Sequence, residues 1–164
     1  PSSRINQNRC FAHCGIDMAG PVYVLDRKGR GQKTRKAWIA IFVCFSTKAV
    51  HFELVDGLDT SSFINALFRF SSIRGLPNTI SSDNGTNFTG ADAEIRRWYE
   101  EFRKSDVTKL FEDTQIQWKF IPVASPHMGG LWEAAVKSLK YHLKRQIENT
   151  HLTREEMCTI LARV

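Results

Sequence analysis

Long apolar runs are absent from this chain of 164 residues. The longest, residues 37–45, has the length of a strand, whereas a membrane-spanning helix needs about 20 apolar residues. The opening residues PSSRINQNRC also lack the apolar stretch of a signal peptide. Neither an internal repeat nor a low-complexity segment occurs. We therefore expect a single globular domain without a membrane partner.

Cysteine is scarce, and its four positions, Cys10, Cys14, Cys44 and Cys158, show no disulfide framework. Cys10 and Cys14 flank His13, which admits a zinc interpretation. Structural zinc sites usually draw on two ligand pairs, and no second pair follows nearby in the sequence. The favoured interpretation is buried or neutral thiols in a reducing compartment.

Acidic residues are outnumbered by basic ones. The chain has 23 Lys and Arg against 17 Asp and Glu, a net charge of +6 and a pI of about 9.3. A basic domain without a membrane signature favours a polyanionic partner, nucleic acid first, although a merely basic soluble protein remains open. Asp26–Lys36, DRKGRGQKTRK, concentrates basic residues and is predicted to be a mobile connector between strands.

Hydrophobic periodicity predicts strands and then a helix in the first half of the chain. The strands are Phe11–Leu25 with a bend at Gly20-Pro21, the continuously apolar Ala37–Phe45, and the alternating Lys48–Val55, in which His51 is expected to be exposed. The helix is capped by Asp59 or Thr60 and ends at Gly75. Its predicted apolar stripe is Phe63, Ile64, Leu67, Phe68 and Phe70.

The second half of the chain alternates strands with helices. We predict a short strand ending at Asp83, a helix over 91–104, a strand at Ile116–Phe120 and a long helix over His127–Asn149. A Thr153-x-x-Glu156 capping box is predicted to begin the last helix.

Three acidic residues lie in positions that suggest chemistry. Asp17 is inside an apolar strand, where a carboxylate is costly unless it is paired or binds a metal. Asp83 ends a strand at a tight turn, and Glu133 lies off the apolar stripe of the long helix. Taken alone, an Asx-turn would explain Asp83, and a surface pair with Lys137 would explain Glu133.

The order of the elements brings these acids together. The first and fourth strands can pair at the centre of a sheet, with the long helix crossing them. Three converging carboxylates repel each other and are stable only with cations between them. Oxygen ligands suit Mg²⁺ or Mn²⁺, and two such ions about 3.5–4 Å apart support in-line displacement at a phosphate.

A line of lysines follows Glu133 along the predicted helix. Lys137, Lys140 and Lys144 come four, seven and eleven residues after it, so all four residues share one line. Such a line of lysines beside a metal-binding carboxylate could bind phosphates.

Longer motifs around the three acids carry a family resemblance. GIDMAGPV, SDNGTNFTG and SPHMGGLWEAAVKSLK resemble the D,D,E signature of retroviral and retrotransposon integrase cores, from about Phe11 to the last helix. The chain most resembles the BEL/Pao group of LTR retrotransposons in two longer motifs, FVCFSTKAVHFELV and RFSSIRGLPNTISSDNGTNF. Between Asp83 and Glu133 lie 133 − 83 − 1 = 49 residues, more than in retroviral integrases. The extra length is expected within 97–114.

The resemblance implies an α/β, RNase H-like fold, a five-stranded mixed sheet with helices on both faces. It implies one integrase catalytic core domain over 1–164, with its core at about 11–150 and its last helix truncated, and without the family's zinc-binding N-terminal and DNA-binding C-terminal domains. The implied reaction is 3′-end processing of element DNA and its joining to target DNA. Asp17 would bridge two metal ions, and Asp83 and Glu133 would each hold one.

Partners are implied in the same way. Lys137 and Lys140, continued by Lys144, would contact the element's DNA ends, and Thr86 with Asn87 would lie near target DNA. The loop 122–130 resembles the family's mobile active-site loop. A homodimer or higher oligomer is expected, acting on chromosomal DNA in the nucleus after synthesis in the cytoplasm as part of a polyprotein.

Two alternatives remain open. A catalytically silent or domesticated DNA-binding module would keep the lysine line without needing all three acids. A ribonuclease H or a cut-and-paste transposase would share the fold. A ribonuclease H is expected to carry a fourth carboxylate, for which Glu53 is the candidate.

Overall fold

The computed structural model describes residues 9–83, 116–121 and 151–164, together with positions 134–135, 137–139, 141–142 and 145. The elements are β1 (His13–Leu25), β2 (Thr34–Cys44), β3 (Val50–Val55), α1 (Thr60–Arg74), β4 (Thr79–Asp83), β5 (Gln117–Ile121), β6 (Leu152–Thr153) and α2 (Arg154–Arg163). The helix predicted over 91–104 lies outside the described residues. No helix in the described ranges is long and apolar enough to cross a membrane.

The strands form one mixed sheet in the order β3-β2-β1-β4-β5. β1, β2 and β3 are an antiparallel meander, whereas β4 and β5 run parallel to β1. The prediction that the first and fourth strands pair at the centre is confirmed. A short sixth strand, β6, pairs with the far end of β1 and was not predicted, because two residues carry no periodicity.

The predicted bend in β1 is confirmed at Gly20-Pro21. The register with β2 shifts between Ala19 and Val22, as at a β-bulge. Gly20 has a φ of +141°, and a Cβ there would lie 3.0 Å from Trp38 Cδ1, so glycine is required by both conformation and space. The shift changes which residues face which side, so that Val22 and Val24 pack with the same core as Ala19.

The sheet has two apolar faces, and different helices pack on each. The first, called the α1 face, packs under α1 and includes Cys14, Ile16, Met18, Ala40, Phe42 and Val55 from the sheet. The second, called the α2 face, includes Val24, Ala37, Ile39, Ile41, Val43 and Leu54, with Met157 and Leu161 from α2 and Ala135 and Leu139 from the long predicted helix. Central strands buried on both faces explain why β2 is continuously apolar.

Both ends of α1 are where the sequence predicts them. Asp59 is the N-cap, and its Oδ1 accepts the Ser62 N–H at 2.8 Å. Gly75, at a φ of +83°, ends the helix and donates its N–H to the Ser71 carbonyl at 2.8 Å. Phe68 was wrongly placed in the apolar stripe, since its side chain is 54% exposed.

The last helix starts as predicted. Thr153 is the N-cap of α2, and its hydroxyl accepts the Glu156 N–H at 3.3 Å. Glu156 Oε2 in turn accepts the Thr153 N–H at 3.0 Å, which completes the capping box. This helix therefore has a locally defined start directly after β6.

Substitution of Phe70 in α1 tests the packing on the α1 face. Its ring stacks on Phe42 at a centroid distance of 4.1 Å and is fully buried. We expect Phe70→Ala to lower the free energy of unfolding by about 3–5 kcal/mol, measured by urea denaturation. Phe68→Ala, on the same helix but exposed, is the matched control and should change it by about 0.5 kcal/mol or less. Equal losses in the two variants would contradict this packing.

Candidate active site

Asp17 is a buried carboxylate in the middle of β1, with only 4% of its surface exposed. Its neighbours Ile16 and Met18 face α1, so strand alternation places Asp17 on the α2 face. Its cross-strand partner Ile41 belongs to the core of that same face. One carboxylate oxygen of Asp17 accepts the Met18 N–H at 2.8 Å. The acid is thus held inside apolar surroundings, as the sequence predicts.

The register of β1 with β4 brings Asp17 next to Asp83. The parallel pairs run from His13 with Thr79 to Ile16 with Ser82. Asp17 and Asp83 are the next residue on each strand, and Asp83 is the last residue of β4. Neighbouring strands lie about 4.8 Å apart, so the two backbone positions are adjacent. The convergence predicted for these two residues therefore holds for their backbones.

The helix predicted to carry Glu133 packs on the α2 face. Every described position between 134 and 145 is helical. Ala135 and Leu139 are buried in the core of the α2 face, which is also the face of Asp17. Glu133 itself lies outside the described residues, one position before this helical stretch.

The predicted DNA-contacting residues are described only in part. Lys137 is helical and exposed. The other four, Lys140, Lys144, Thr86 and Asn87, lie outside the described residues.

Two residues near Lys137 were missed by the sequence analysis. Tyr141 and Arg145 are exposed and follow Lys137 at steps of four residues, which places them on the same line of the helix. Arg145 Nη1 donates to the Tyr141 hydroxyl at 2.7 Å. The spacing of four residues from Lys137 was the signal that could have found them.

Glu53 is on the opposite side of the sheet from Asp17. Its cross-strand partner Ala40 belongs to the α1 face, and Arg69 of α1 donates to Glu53 Oε2 at 2.7 Å. Because the sheet separates Glu53 from Asp17, Glu53 is not a fourth active-site carboxylate.

His51 is largely covered rather than exposed, so that prediction was wrong. Its side chain is 10% exposed and packs 5.3 Å from the Phe70 ring, because α1 covers this face of β3. His51 Nε2 lies 2.9 Å from Glu53 Oε1, and Arg74 Nε donates to His51 Nδ1 at 3.3 Å. Arg74, His51, Glu53 and Arg69 therefore form one hydrogen-bonded chain between α1 and β3.

The cysteines near the start of β1 are free thiols. Cys14 and Cys44 are buried and are paired in register across β1 and β2, whereas Cys10 is exposed. Burial raises the pKa of the Cys14 thiol far above its ordinary value, which keeps it neutral, as predicted. His13 Nδ1 lies 2.6 Å from the Thr79 hydroxyl. Across the described ranges, no cluster of three His, Cys, Asp or Glu side chains could hold a metal ion.

Comparison with known proteins was made on both sequence and structure. No protein-family model and no curated protein matches the chain. A solved intasome of simian T-cell lymphotropic virus in complex with PP2A regulatory subunit B56 gamma matches with a TM-score of 0.63 and 15% identity. The match covers 92% of this chain and 45% of that one. This chain therefore spans less than half the length of the intasome chain.

Isolated catalytic cores match over most of their length. The HTLV-2 integrase catalytic core domain in complex with magnesium gives a TM-score of 0.60 in its trimeric form, with 14% identity over 92% of this chain and 80% of that one. Its dimeric form gives 0.55, with 15% identity over 94% and 83%. These likenesses establish the fold. The predicted fold class is confirmed: the chain has the RNase H-like fold of integrase catalytic cores.

The chain Arg74–His51–Glu53–Arg69 generates a pH prediction. Burial raises the pKa of Glu53, but hydrogen bonds from His51 and Arg69 outweigh burial and hold that pKa below its ordinary 4.5. A carboxylate with a depressed folded-state pKa stabilises the fold above its unfolded-state pKa, and that contribution is lost as the pH falls through the folded-state value. We expect Glu53→Gln to lower the free energy of unfolding by roughly 1–2 kcal/mol at neutral pH.

The difference should shrink below the ordinary pKa of 4.5, as measured by urea denaturation across the acid range. Glu155→Gln, which neutralises an acid in the first turn of α2, is the matched control and should change the free energy of unfolding by about 0.5 kcal/mol or less. A penalty for Glu53→Gln that is the same at every pH would show that the charge of Glu53 plays no part.

Proposed function

We propose that this chain is the catalytic core of a DDE-type integrase of a BEL/Pao-like LTR retrotransposon. It would process the 3′ ends of the element's DNA and join them to target DNA. The observation that carries this proposal is the buried Asp17 beside the carboxyl end of β4, where Asp83 lies. A buried carboxylate is costly in apolar surroundings, and a cation bound between two neighbouring acids would offset that cost.

The chemistry of the donors fits a hard divalent cation. Carboxylate oxygens favour Mg²⁺, with Mn²⁺ as a substitute, over softer metals. Asp17, Asp83 and Glu133 would hold two such ions when DNA is bound. The ions would activate the attacking oxygen and stabilise the leaving oxygen of an in-line phosphodiester exchange. The magnesium in the HTLV-2 core supports this choice of metal.

The residues of this chain supply fixed positions for that chemistry. Two paired strands set the backbones of Asp17 and Asp83, and strands move less than loops, so both acids start from fixed backbone positions. The apolar surroundings of Asp17 keep water away from it and strengthen its attraction to a cation.

DNA is the proposed partner on two grounds. The chain has a net charge of +6, and the exposed Lys137 is on the helical stretch that packs over the face of Asp17. Lys140, Lys144, Thr86 and Asn87 are proposed to complete the contacts with the element's ends and the target. Because the proposed target is chromosomal DNA, the nucleus is the proposed site of this activity.

The first test is a strand-transfer reversal assay on a branched DNA substrate with Mn²⁺ or Mg²⁺. This reaction depends least on other domains of an integrase. We expect metal-dependent joining by the wild type and a loss of about 100-fold or more in Asp17→Asn and Asp83→Asn, since each removes a charged metal ligand. Glu53→Gln neutralises an acid on the other face of the sheet and is the matched control, with activity retained.

Each outcome of this assay decides between functions. If Asp17→Asn joins DNA as well as the wild type does, the catalytic role of the triad is wrong. Joining by none of the proteins, with no thermal stabilisation of the wild type by divalent metal, would favour the silent DNA-binding module. Cleavage of an RNA–DNA hybrid in place of joining would favour a ribonuclease H.

A homodimer or higher oligomer is also proposed, through the exposed side of α1. Phe68 and Ile73 are 54% and 65% exposed there. The HTLV-2 core, which shares the fold, has dimeric and trimeric forms. We expect sedimentation velocity to show an oligomer. Phe68→Ser/Ile73→Ser should raise the dissociation constant of this oligomer by about tenfold or more. Tyr23→Ser removes another exposed apolar side chain and should leave the distribution unchanged. A wild type that stays monomeric at high concentration would refute the proposal.

A further inference from the structure

The hairpin of β1 and β2 extends well beyond the candidate active site. β4 pairs with β1 only as far as Ile16, whereas β2 continues beside β1 to Leu25. We call residues 18–25 and 34–40, with the connecting loop 26–33, the β1–β2 arm. At about 3.3 Å per residue, the end of β1 lies about 25 Å from Asp17.

The far end of β1 in the arm is attached to the body of the domain. Because β2 occupies one edge of β1, β6 must pair with the edge that β4 leaves, at Val24 and Leu25. Met157 and Leu161 of α2 pack in the same core as Val24. The connector was predicted to be mobile, but these contacts fix both strands that lead into it.

Acidic residues form ion pairs with the loop end of the arm. Lys28 of the loop forms an ion pair with Glu156 of α2. Arg35 lies 3.0 Å from Asp26 and 3.6 Å from Asp56. Arg154 lies 3.1 Å from Asp56, so this acid links the arm to α2. These pairs neutralise Lys28 and Arg35.

The remaining cations of the loop are directed at solvent. Arg27, Arg30 and Lys33 are exposed and make no side-chain hydrogen bond or ion pair within the part of the chain that the structure describes. The arm also exposes an aromatic residue, since Tyr23 is 51% exposed and pairs in register with the exposed Lys36. Like charges held close together repel each other, and an external anion relieves that repulsion.

We propose that the β1–β2 arm binds the phosphate backbone of duplex DNA about 25 Å from the reacting phosphate. That distance corresponds to about seven base pairs at 3.4 Å each, and duplex DNA is stiff over so short a span. A straight duplex that runs from Asp17 along β1 would therefore span the distance to the loop. The binding itself is independent of catalysis, and only the distance from the reacting phosphate rests on the proposed function.

The decisive measurement is equilibrium binding of a fluorescent duplex of about 30 base pairs, followed by anisotropy in EDTA at several salt concentrations. We expect Arg27→Ser/Arg30→Ser to bind about 5–10-fold more weakly at low salt than the wild type. The slope of log affinity against log salt should fall by about 1.8, or 0.9 for each lost phosphate contact. Both substitutions lie in an exposed loop, so thermal unfolding should be unchanged.

The matched control removes the same charge elsewhere. Lys48→Asn/Arg163→Ser replaces two exposed cations, one in the turn between β2 and β3 and one at the end of α2. Asn suits position 48 because its φ is +61°. This variant should bind within about twofold of the wild type, with a smaller change in slope.

Equal affinities and slopes for the two double variants would overturn the proposal. Polyglutamate that competes as well as duplex DNA would overturn it too and indicate an acidic protein partner.

A second measurement separates the arm from the active site. A photo-crosslinking amino acid replacing Arg30 should react with the branched substrate about seven base pairs from the branch. Crosslinks at the branch itself, or scattered evenly along the duplex, would refute the stated distance. Loss of binding in the arm variant, with neither joining by the wild type nor its thermal stabilisation by divalent metal, would refute the proposed function and leave the arm as a DNA-binding element.

Discussion

The parallel pairing of β1 with β4 is the constraint on which the site depends. Parallel strands cannot be joined by a tight turn, so a crossover must separate β3 from β4, and α1 fills that role. The pairing puts the end of β4 next to the middle of β1, and this brings Asp83 beside Asp17. A shift of one residue in the register of β1 would turn Asp17 toward the α1 face, where its carboxylate would lie among aromatic rings.

The same pairing explains the length of β1. In the part of the chain that the structure describes, β4 pairs with β1 only as far as Ile16, and no other strand lies on that edge of β1 before β6. β6 covers the far end of this edge, and α2 follows at once through its capping box.

Local signals in the sequence were enough for much of the fold. The caps at Asp59, Gly75 and Thr153 depend on residues within one helical turn, and all three are correct. His51 and Phe68 were wrong because exposure depends on which element covers a face, and alternation along one strand or helix does not contain that information.

The site could be predicted to the extent that its chemistry is local. A carboxylate within an apolar strand marked Asp17, and the end of a strand marked Asp83. The hydrogen-bond partner of Glu53 on α1 could not be predicted. The register of Glu53 with Ala40 and the position of α1 decide which face of the sheet Glu53 occupies and what it meets there. The roles of Glu133 and of all the residues predicted to contact DNA stay predictions, and of the latter only Lys137 is described, as an exposed helical residue.

The distribution of charge connects the fold to the proposed DNA partner. Near the arm, the acids Asp26, Asp56 and Glu156 are all engaged by basic residues that hold the arm to the domain. Surface pairs of this kind contribute little stability individually, and their screening by salt weakens them further. Their larger effect is geometric, because they use up the nearby negative charge and leave the cations of the loop unneutralised. An arm braced in this way presents positive charge at a fixed distance from Asp17, which a stiff polyanion can match and a flexible one matches less well.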